Sequence, residues 1–363
     1  FLLAEGKEMV KRISFILVNM IFLFGCVLDR PLTKEPEKRV VQVDASEKQD
    51  ALAGKLKSLE QSVSRLGSEI KNLENQLKHT KDRPPLATYK LPKEVFLCGE
   101  RIPVENKNVW ENLDREFLLT LSNDVQVLLW MKRARRYFPH IEKRLRDLSL
   151  PDDLKYVTIV ESGLRPYAVS PSGAGGIWQF IPATGEKYEM RKNRIIDERF
   201  DFFKATEGAL AYLKALYEEF RSWALSLAAY NVGEKRVRKE IELQGTRDYY
   251  FLDLPLETER YVYKIAVAKM ILSETEKYGF HLDQKEFYDP LQVERVQIEL
   301  NQPLPIIEVS RAVGCFYKDI KELNPHFSEE AIPPGIQFVN LPPGTSVPFW
   351  TFFSAWKTEM EGK

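Results

Sequence analysis

Cysteine and histidine are scarce in this chain. Its 363 residues include three cysteines, at positions 26, 98 and 315, and four histidines. The wide spacing of the cysteines fits neither a disulfide framework nor a metal motif, and the histidines lack the spacing of metal ligands. We therefore expect no metal ion and no cofactor.

Net charge is absent as well. Lysine and arginine number 53 together, and so do aspartate and glutamate. No large basic field would steer the protein towards a polyanion, so we expect no nucleic-acid partner. The length allows two or three domains and a sizeable core.

The first 25 residues have the pattern of a targeting segment. We interpret Met9 as the start, since the residues before it resemble upstream readthrough. The positive pair Lys11 and Arg12 precedes an apolar run, Ile13–Phe24, that is too short to span a bilayer comfortably. This pattern predicts a signal peptide over residues 1–25.

The apolar run leads into Leu-Phe-Gly-Cys at 23–26, which resembles a bacterial lipobox. We therefore expect cleavage before Cys26 and lipidation of that residue, because several buried acyl chains anchor a protein firmly. By analogy with such lipoproteins, Val27 in place of aspartate favours the outer membrane. An ordinary signal peptide or an uncleaved anchor is the alternative. Residues 26–46 are charged, contain prolines and are expected to form a tether.

Residues 47–80 carry a heptad pattern that predicts a coiled coil. Its apolar side chains alternate at spacings of four and three: Leu52, Leu56, Leu59, Val63, Leu66, Ile70, Leu73 and Leu77. Leucine at every d position and β-branched residues at a positions favour a parallel homodimer through 47–79. A single helix packed on the catalytic domain is the alternative. Prolines end the helix, and residues 81–108 are expected to be an irregular linker with a strand near 95–97.

Residues 109–290 are predicted to be almost entirely helical. The periodicity places helices at 110–121, 125–136, 205–220, 223–230 and 261–272. The fourth of these is rich in alanine, which allows close helix packing, and it ends at an Asn-Val-Gly stop signal.

The helix that ends at Gly163 carries the most informative residue of the sequence. Leu154, Val157 and Glu161 follow one another on a single helix face, so a carboxyl group occupies an apolar position near the negative end of a helix. Both surroundings raise the pKa of a carboxyl group. A carboxylic acid that is neutral near pH 7 can give its proton to a leaving oxygen. The alternative is a structural glutamate paired with an arginine such as Arg165.

A loop of small residues, Ser-Pro-Ser-Gly-Ala-Gly-Gly at 170–176, follows this helix. Glycine allows a backbone to approach a ligand closely. The loop leads to Trp178, which offers a flat apolar face for a sugar ring, and to Gln179, whose amide has a donor and an acceptor. Beside Glu161, these residues predict a cleft that binds carbohydrate.

Five ordered blocks carry a family resemblance: Glu161-Ser162, GAGGIWQ at 173–179, DERFD at 197–201, AYNVG at 229–233 and ETERYV at 257–262. They resemble the lytic transglycosylases of glycoside hydrolase family 23, and most closely the subfamily of membrane-bound murein transglycosylase D. The resemblance covers roughly residues 110–290. It implies a mainly α, goose-lysozyme-like catalytic domain at 109–290.

The resemblance also implies an activity. Such enzymes cleave the MurNAc-β-1,4-GlcNAc bond of peptidoglycan and leave 1,6-anhydroMurNAc ends, with one glutamate, here Glu161, as acid and then as base. The substrate-binding positions that it implies are Ser170, Gly176, Trp178, Gln179, Tyr230, Asn231 and Tyr261. It implies glycan strands as partner and the periplasmic side of the bacterial envelope as location. A hydrolytic muramidase and a non-catalytic peptidoglycan-binding scaffold are the alternatives.

The pattern changes after Gly279. A strand at 293–300, helices at 306–313 and 317–323, and a closing strand at 337–341 predict a small α+β module. This order resembles a divergent LysM module, here 291–348, which would bind glycans that contain N-acetylglucosamine. A structural cap on the catalytic domain is the alternative. Residues 349–363 are expected to be a tail.

Overall fold

A computed structural model describes residues 45–81 and 85–361. The chain divides into two compact units, residues 1–73 and 74–363. The described part of the first unit belongs to one long helix, α1 (Ala45–Lys81). The predicted signal peptide, the lipidation position Cys26 and most of the predicted tether lie outside the described residues.

The apolar seam of α1 lies on the surface of the helix. Its side chains are 54–66% exposed: Leu52, Leu56, Leu59, Val63, Leu66, Ile70 and Leu73. The predicted helix is therefore present, and its self-association stays a prediction. None of the helices within 45–81 and 85–361 is long and apolar enough to cross a bilayer.

A two-stranded hairpin precedes the helical domain of the second unit. β1 (Val95–Leu97) pairs in antiparallel fashion with β2 (Glu100–Ile102). The side chains of Val95, Leu97 and Ile102 are buried in the same core as the helices. The predicted strand near 95–97 is therefore confirmed, whereas the prediction of an irregular linker is wrong for residues 95–102. The pairing of this strand with β2 was not predicted, because alternation over three residues is too short a pattern to indicate it.

The helical domain is confirmed as mainly α. Its helices are α2 (Lys107–Leu121), α3 (Asp124–Asp147), α4 (Val157–Ser162), α5 (Pro182–Lys187), α6 (Phe202–Phe220), α7 (Trp223–Val232), α8 (Glu234–Gln244) and α9 (Leu256–Ser273). Several begin with a side-chain cap, in which Asn106, Asp201 or Ser222 accepts a hydrogen bond from an N–H group of the first turn.

The central helix of this domain is α9. It is apolar on several sides, and Val262, Ile265 and Ala266 are fully buried. α7 packs against it, because the alanines of α7 let the two backbones approach closely. The two helices bring Tyr230 and Tyr261 into the same region of the fold.

Glu100 of the hairpin caps the N-terminus of α7. Its carboxylate accepts hydrogen bonds from the backbone N–H groups of Trp223 and Ala224, at 2.7 and 3.3 Å, and from the hydroxyl of Ser222 at 3.2 Å. Negative charge is favourable at this position because it faces the positive end of the helix dipole.

Two helices differ from the sequence prediction. α8 was not predicted, because charged residues dominate it and its buried side chains are only those of Val237 and Glu240. α3 continues through Pro139 to Asp147, although a proline usually ends or kinks a helix. Burial of Ile141 and Leu145 beyond the proline favours the longer helix.

Residues 294–361 form an α+β module with a core of its own, which we call the C-terminal module. β3 (Glu294–Leu300) and β6 (Gly335–Leu341) pair in antiparallel fashion. Between them the chain forms β4 (Leu304–Pro305), α10 (Ile306–Val313), α11 (Tyr317–Leu323) and β5 (Ala331–Ile332). The predicted strand–helix–helix–strand order is present, and the assignment as a LysM module stays a prediction.

The last helix, α12 (Ser346–Glu361), completes the C-terminal module. It buries Phe349, Phe353 and Trp356 in the module core. The prediction of a tail over 349–363 is therefore wrong as far as residue 361. Ile196 of the helical domain belongs to the same core, so the two parts of the unit share a packed boundary.

Candidate active site

Glu161 lies in the last turn of α4. A 3₁₀ turn over Asp152–Tyr156 leads into this helix, and Gly163, with a φ of +59°, ends it. Leu154 and Val157 are fully buried, and Glu161 is partly buried. The predicted helix and its end at Gly163 are therefore confirmed.

The surroundings of Glu161 favour its neutral form. The pKa of the carboxyl group is raised to about 7, and burial is the largest cause. A hydrogen bond from Tyr261 lowers this pKa, the negative charge of Glu257 raises it, and the positive charge of Lys264 lowers it. A carboxyl group with such a pKa can donate a proton and then accept one near neutrality.

Tyr261 is the hydrogen-bond donor to Glu161. Its side chain is 2% exposed, and its hydroxyl donates to Oε1 of the glutamate. Burial, and next the charge of Glu161, hold the pKa of this phenol well above its ordinary value, so it stays a donor. Arg165 donates from Nε to the carbonyl oxygen of Ser162 at 2.9 Å. The alternative of an ion pair between Glu161 and Arg165 is therefore wrong.

Ser170 begins the loop that forms one wall of the site. Its hydroxyl accepts a hydrogen bond from the N–H group of Ala174 at 3.0 Å and lies 2.9 Å from the hydroxyl of Ser172. Both serines line the cleft beside Glu161. The loop therefore presents two hydroxyl groups in a fixed turn.

Gln179 lines the same cleft from the other end of the loop. Its amide nitrogen donates to the backbone carbonyls of Ala168 and Gly176 at 3.1 and 2.6 Å. Both amide hydrogens are then used, and the amide oxygen is the atom that can accept a hydrogen bond from a ligand.

Two predicted binding residues of this loop do not line the cleft. Trp178 is fully buried, and its Nε1 donates to Oγ1 of Thr206 at 3.0 Å. Gly176 is buried with a φ of +81°, and a Cβ atom there would overlap the carbonyl oxygen of Arg199. The expectations that Trp178 lines the cleft and that Gly176 approaches the ligand are therefore wrong.

The physical reason is a turn over residues 176–179, in which the N–H group of Gln179 donates to the carbonyl oxygen of Gly176 at 3.3 Å and Gln179 has a φ of +52°. This turn places Trp178 in the core and Gln179 at the cleft. The sequence does not reveal which of the two faces the ligand, since each has a chemically plausible role in a sugar cleft.

Tyr230 and Asn231 lie at the end of α7 and line the cleft. The hydroxyl of Tyr230 donates to the carbonyl oxygen of Trp178 at 2.8 Å, which ties the helix to the loop. Oδ1 of Asn231 accepts a hydrogen bond from the hydroxyl of Thr258 at 2.7 Å, which ties α7 to α9. Both residues therefore hold elements of the wall together as well as facing the cavity.

The cleft has a volume of about 820 Å³. Its lining contains six predicted site residues: Glu161, Ser170, Gln179, Tyr230, Asn231 and Tyr261. It also contains Glu257 and Lys264, which were not predicted as site residues. A signal for them was present, because positions 257, 261 and 264 are spaced by four and three and so share one face of a helix.

Asp197, the first residue of the DERFD block, is paired with an arginine. Its two oxygens accept hydrogen bonds from Nε and Nη2 of Arg199 at 2.9 and 2.7 Å. Asp197 is buried and does not line the cleft, whereas Glu257 does. Within the described ranges, no group of three His, Cys, Asp or Glu side chains could hold a metal ion.

Comparison with known families identifies the domain that holds this site. Residues 139–252 match the family model of the transglycosylase SLT domain. This range contains Glu161, the loop that begins at Ser170, and Tyr230. The resemblance to lytic transglycosylases is therefore confirmed for this domain.

Among curated relatives, the chain is 34% identical over 197 residues to membrane-bound lytic murein transglycosylase D of Escherichia coli strain K12. The match covers 53% of this chain and 43% of that protein, so the chain spans less than half of its relative's length.

Two solved structures are also similar. The 70 kDa soluble lytic transglycosylase of Escherichia coli matches with a TM-score of 0.34 and 16% identity, over 62% of this chain and 46% of that chain. An inactive mutant of the lytic transglycosylase Slt from Pseudomonas aeruginosa matches with a TM-score of 0.30 and 20% identity, over 41% and 26%.

Proposed function

We propose that this chain is a peptidoglycan lytic transglycosylase. The observation that carries the proposal is a single partly buried glutamate, Glu161, whose pKa is raised to about 7 and which faces a cleft of about 820 Å³. The name of the curated relative, a lytic murein transglycosylase, supports the same activity and substrate. The scissile bond is the β-1,4 bond between N-acetylmuramic acid and N-acetylglucosamine.

The proposed reaction uses Glu161 twice. The neutral acid first gives its proton to the glycosidic oxygen as the bond from that oxygen to C1 of the muramoyl sugar breaks. The oxygen of the 2-acetamido group stabilises the positive charge that develops at C1. The glutamate anion then takes the proton of the C6 hydroxyl, whose oxygen attacks C1. The products are a free 4-hydroxyl group and a 1,6-anhydromuramoyl end, and no water is consumed.

The other cleft residues have positioning and binding roles in this proposal. Tyr261 holds Oε1 of Glu161 by a hydrogen bond, so the carboxyl group keeps one orientation through both proton transfers. Ser170 and the amide oxygen of Gln179 bind the muramoyl sugar. Tyr230 and Asn231 fix the wall of the cleft against the loop and α9.

A hydrolytic muramidase is the second candidate, because the cleft contains another carboxyl group. Hydrolysis with a pair of carboxyl groups needs a second acid on the other side of the bond. Glu234 and Glu257 both line this cleft, and Glu257 is the candidate because its charge acts on Glu161. In that reaction water attacks C1 and the product has a reducing end.

Product analysis tests the proposal. Purified murein sacculi are digested with the full chain and with its Glu161→Gln variant, and the released muropeptides are weighed by mass spectrometry. We expect anhydro ends from the first protein and no release from the second. Ends heavier by one water would establish the hydrolase. No release by either protein would favour a binding scaffold.

We also propose an envelope location with an anchor at Cys26, and the relative's description as membrane-bound supports this. The test expresses the full gene in a Gram-negative bacterium with a radiolabelled fatty acid. We expect label and outer-membrane fractionation for the native chain and loss of both for Cys26→Ala. Label that persists in the variant would contradict lipidation at Cys26.

The exposed seam of α1 supports a parallel homodimer. Sedimentation of a soluble form at micromolar concentration should give a dimer, and Leu59→Lys with Leu66→Lys should give a monomer because both leucines are d positions. The matched control is Gln61→Lys with Ser68→Lys, which adds the same charge on the opposite face. A monomeric native protein would contradict the proposal.

A further inference from the structure

The segment between Arg191 and Lys204 lies between the cleft loop and the C-terminal module. On the module side, the N–H group of Asp197 donates to the carbonyl oxygen of His326, and the N–H group of Ser328 donates to the carbonyl oxygen of Ile195, both at 2.9 Å. Between these two bonds, Ile196 lies in the core of the module. This segment is therefore bonded to the module by its backbone as well as by its side chains.

Arg295 of β3 makes a two-pronged ion pair across this boundary. Its guanidinium donates from Nη1 and Nη2 to the two oxygens of Asp201 at 3.0 and 2.8 Å. The same group lies 5.0 Å from the ring centre of Phe203 and 4.7 Å from that of Phe338. Asp201 is 2% exposed, so the loss of its partner would leave an uncompensated buried charge.

Arg199 makes the contact on the other side, with the cleft loop. Its Nη1 donates to the carbonyl oxygens of Gly173 and Phe180, both at 2.7 Å. These carbonyls stand on either side of the turn that carries Gln179. The remaining donors of the guanidinium are held by Asp197, whose backbone is bonded to the module.

We infer that the C-terminal module acts as a fixed support for the cleft loop, and that Asp197 and Arg199 are the positioning pair that connects them. A continuous series of hydrogen bonds runs from His326 through Asp197 and Arg199 to Gly173 and Phe180. The inference rests on the proposed function only where it says that the loop binds sugar. The support itself is a property of the fold.

Hydrogen–deuterium exchange on the full chain tests the support without any measurement of activity. Arg295→Met removes the charge from the boundary but keeps an aliphatic side chain there. We expect amides of 173–180 to exchange about tenfold faster in this variant, although the substitution lies in another module. Arg295→Lys should restore part of the protection, since it keeps the charge.

The matched control is Arg194→Met. Arg194 belongs to the same segment and also pairs with the module, through Glu329 at 3.6 Å, but its side chain is 91% exposed. We expect native exchange over 173–180 in this variant. Faster exchange that is confined to the module and to 194–201 in Arg295→Met would overturn the inference.

Arg199→Lys tests the same connection from the loop side and keeps the charge of the residue. A lysine cannot hold Asp197 and two carbonyls at once, because it lacks the planar fork of donors. We expect KM for glycan strands to rise about tenfold while the pH dependence of kcat stays native, since Glu161 and Tyr261 are untouched.

A native KM and native exchange over 173–180 in Arg199→Lys would contradict a positioning role. If the native chain does not cleave murein, the exchange measurement still decides whether the module supports the loop. Failure of the proposed function and failure of this inference are thereby distinguishable.

Discussion

The hydroxyl of Tyr261 donates a hydrogen bond to Oε1 of Glu161, although the two residues come from helices 100 positions apart in the chain. This bond favours the anion of Glu161, while burial of the carboxyl group favours the neutral acid more strongly. The pKa of about 7 is the balance of the two effects. A group poised in this way can serve in both directions of proton transfer.

Replacement of Tyr261 by phenylalanine should move this balance. The variant loses the hydrogen bond that lowers the pKa of Glu161, so the pKa rises above about 7. The high-pH limb of kcat/KM for murein cleavage should shift to higher pH, and the rate at pH 6 should fall about tenfold because the carboxyl group loses its orientation. A limb that stays in place, or moves to lower pH, would contradict this role of Tyr261.

Substitutions of two neighbours of Glu161 should shift the high-pH limb of kcat/KM in opposite directions. Lys264→Met removes a positive charge that lowers the pKa of Glu161, so the limb should move to higher pH. Glu257→Gln removes a negative charge that raises it, so the limb should move to lower pH. The pair is its own control, since each variant removes one charge from the same face of α9. Shifts of the same sign would refute the electrostatic account.

Glu161→Gln should remove cleavage and change how stability depends on pH. A single proton-transfer group commonly contributes 10²- to 10⁴-fold in rate, so murein release should fall by about 10³-fold or more.

The carboxyl pKa of Glu161 is 4.5 in its ordinary state and about 7 in the folded chain, so the folded state binds the proton more tightly. The contribution of this proton to the free energy of unfolding is fully present below pH 4.5 and is lost as the pH rises through 7.

The amide variant has no such proton. Between pH 4.5 and 8, the native chain should therefore lose on the order of 3 kcal/mol of unfolding free energy relative to Glu161→Gln. Urea unfolding of both proteins at pH 5 and pH 8 measures the difference. Equal pH dependence in the two proteins would mean that Glu161 titrates as an ordinary exposed carboxyl group.

Much of the fold could be predicted because its signals are local. α10 and α11 have the predicted bounds, since a glycine ends the first and an Asn-Pro pair ends the second. α4 and the position of Glu161 follow in the same way from the glycine at 163. The strand at 95–97 was predicted, whereas its partner strand β2 and the helix α8 were not, because short or polar segments are ordered by packing partners that leave no local signature.

The candidate site likewise contains residues that a local sequence signal identifies and residues that have no such signal. Glu161 was identified because a charged residue interrupts an apolar face, which is visible in the sequence. Trp178 was assigned to the cleft although it lies in the core, because its segment has the cleft on one side and the core on the other. Arg199 was not predicted to matter, since its partners are backbone carbonyls 19 and 26 positions away.

Two glycines of the cleft loop allow a matched test of packing. Gly176→Ala combines a positive φ of +81° with overlap between the new Cβ atom and the carbonyl oxygen of Arg199, whereas Gly173 has a φ of +79° and open space around it. We expect Gly176→Ala to cost about 3 kcal/mol or more and Gly173→Ala about 1 kcal/mol. Thermal unfolding of the two variants measures this. Equal melting temperatures would show that the loop can move away from Arg199.

The carboxylate of Glu100 sets a limit on how far this protein can be shortened. A fragment that starts at residue 109, where the helical pattern begins, leaves the first amides of α7 without their acceptor, seven residues before Tyr230, which contacts the loop. Recombinant forms that start ahead of Val95 keep that acceptor in place. The shortest form that keeps α7 capped is thus decided by Glu100, whose side chain does not line the cleft.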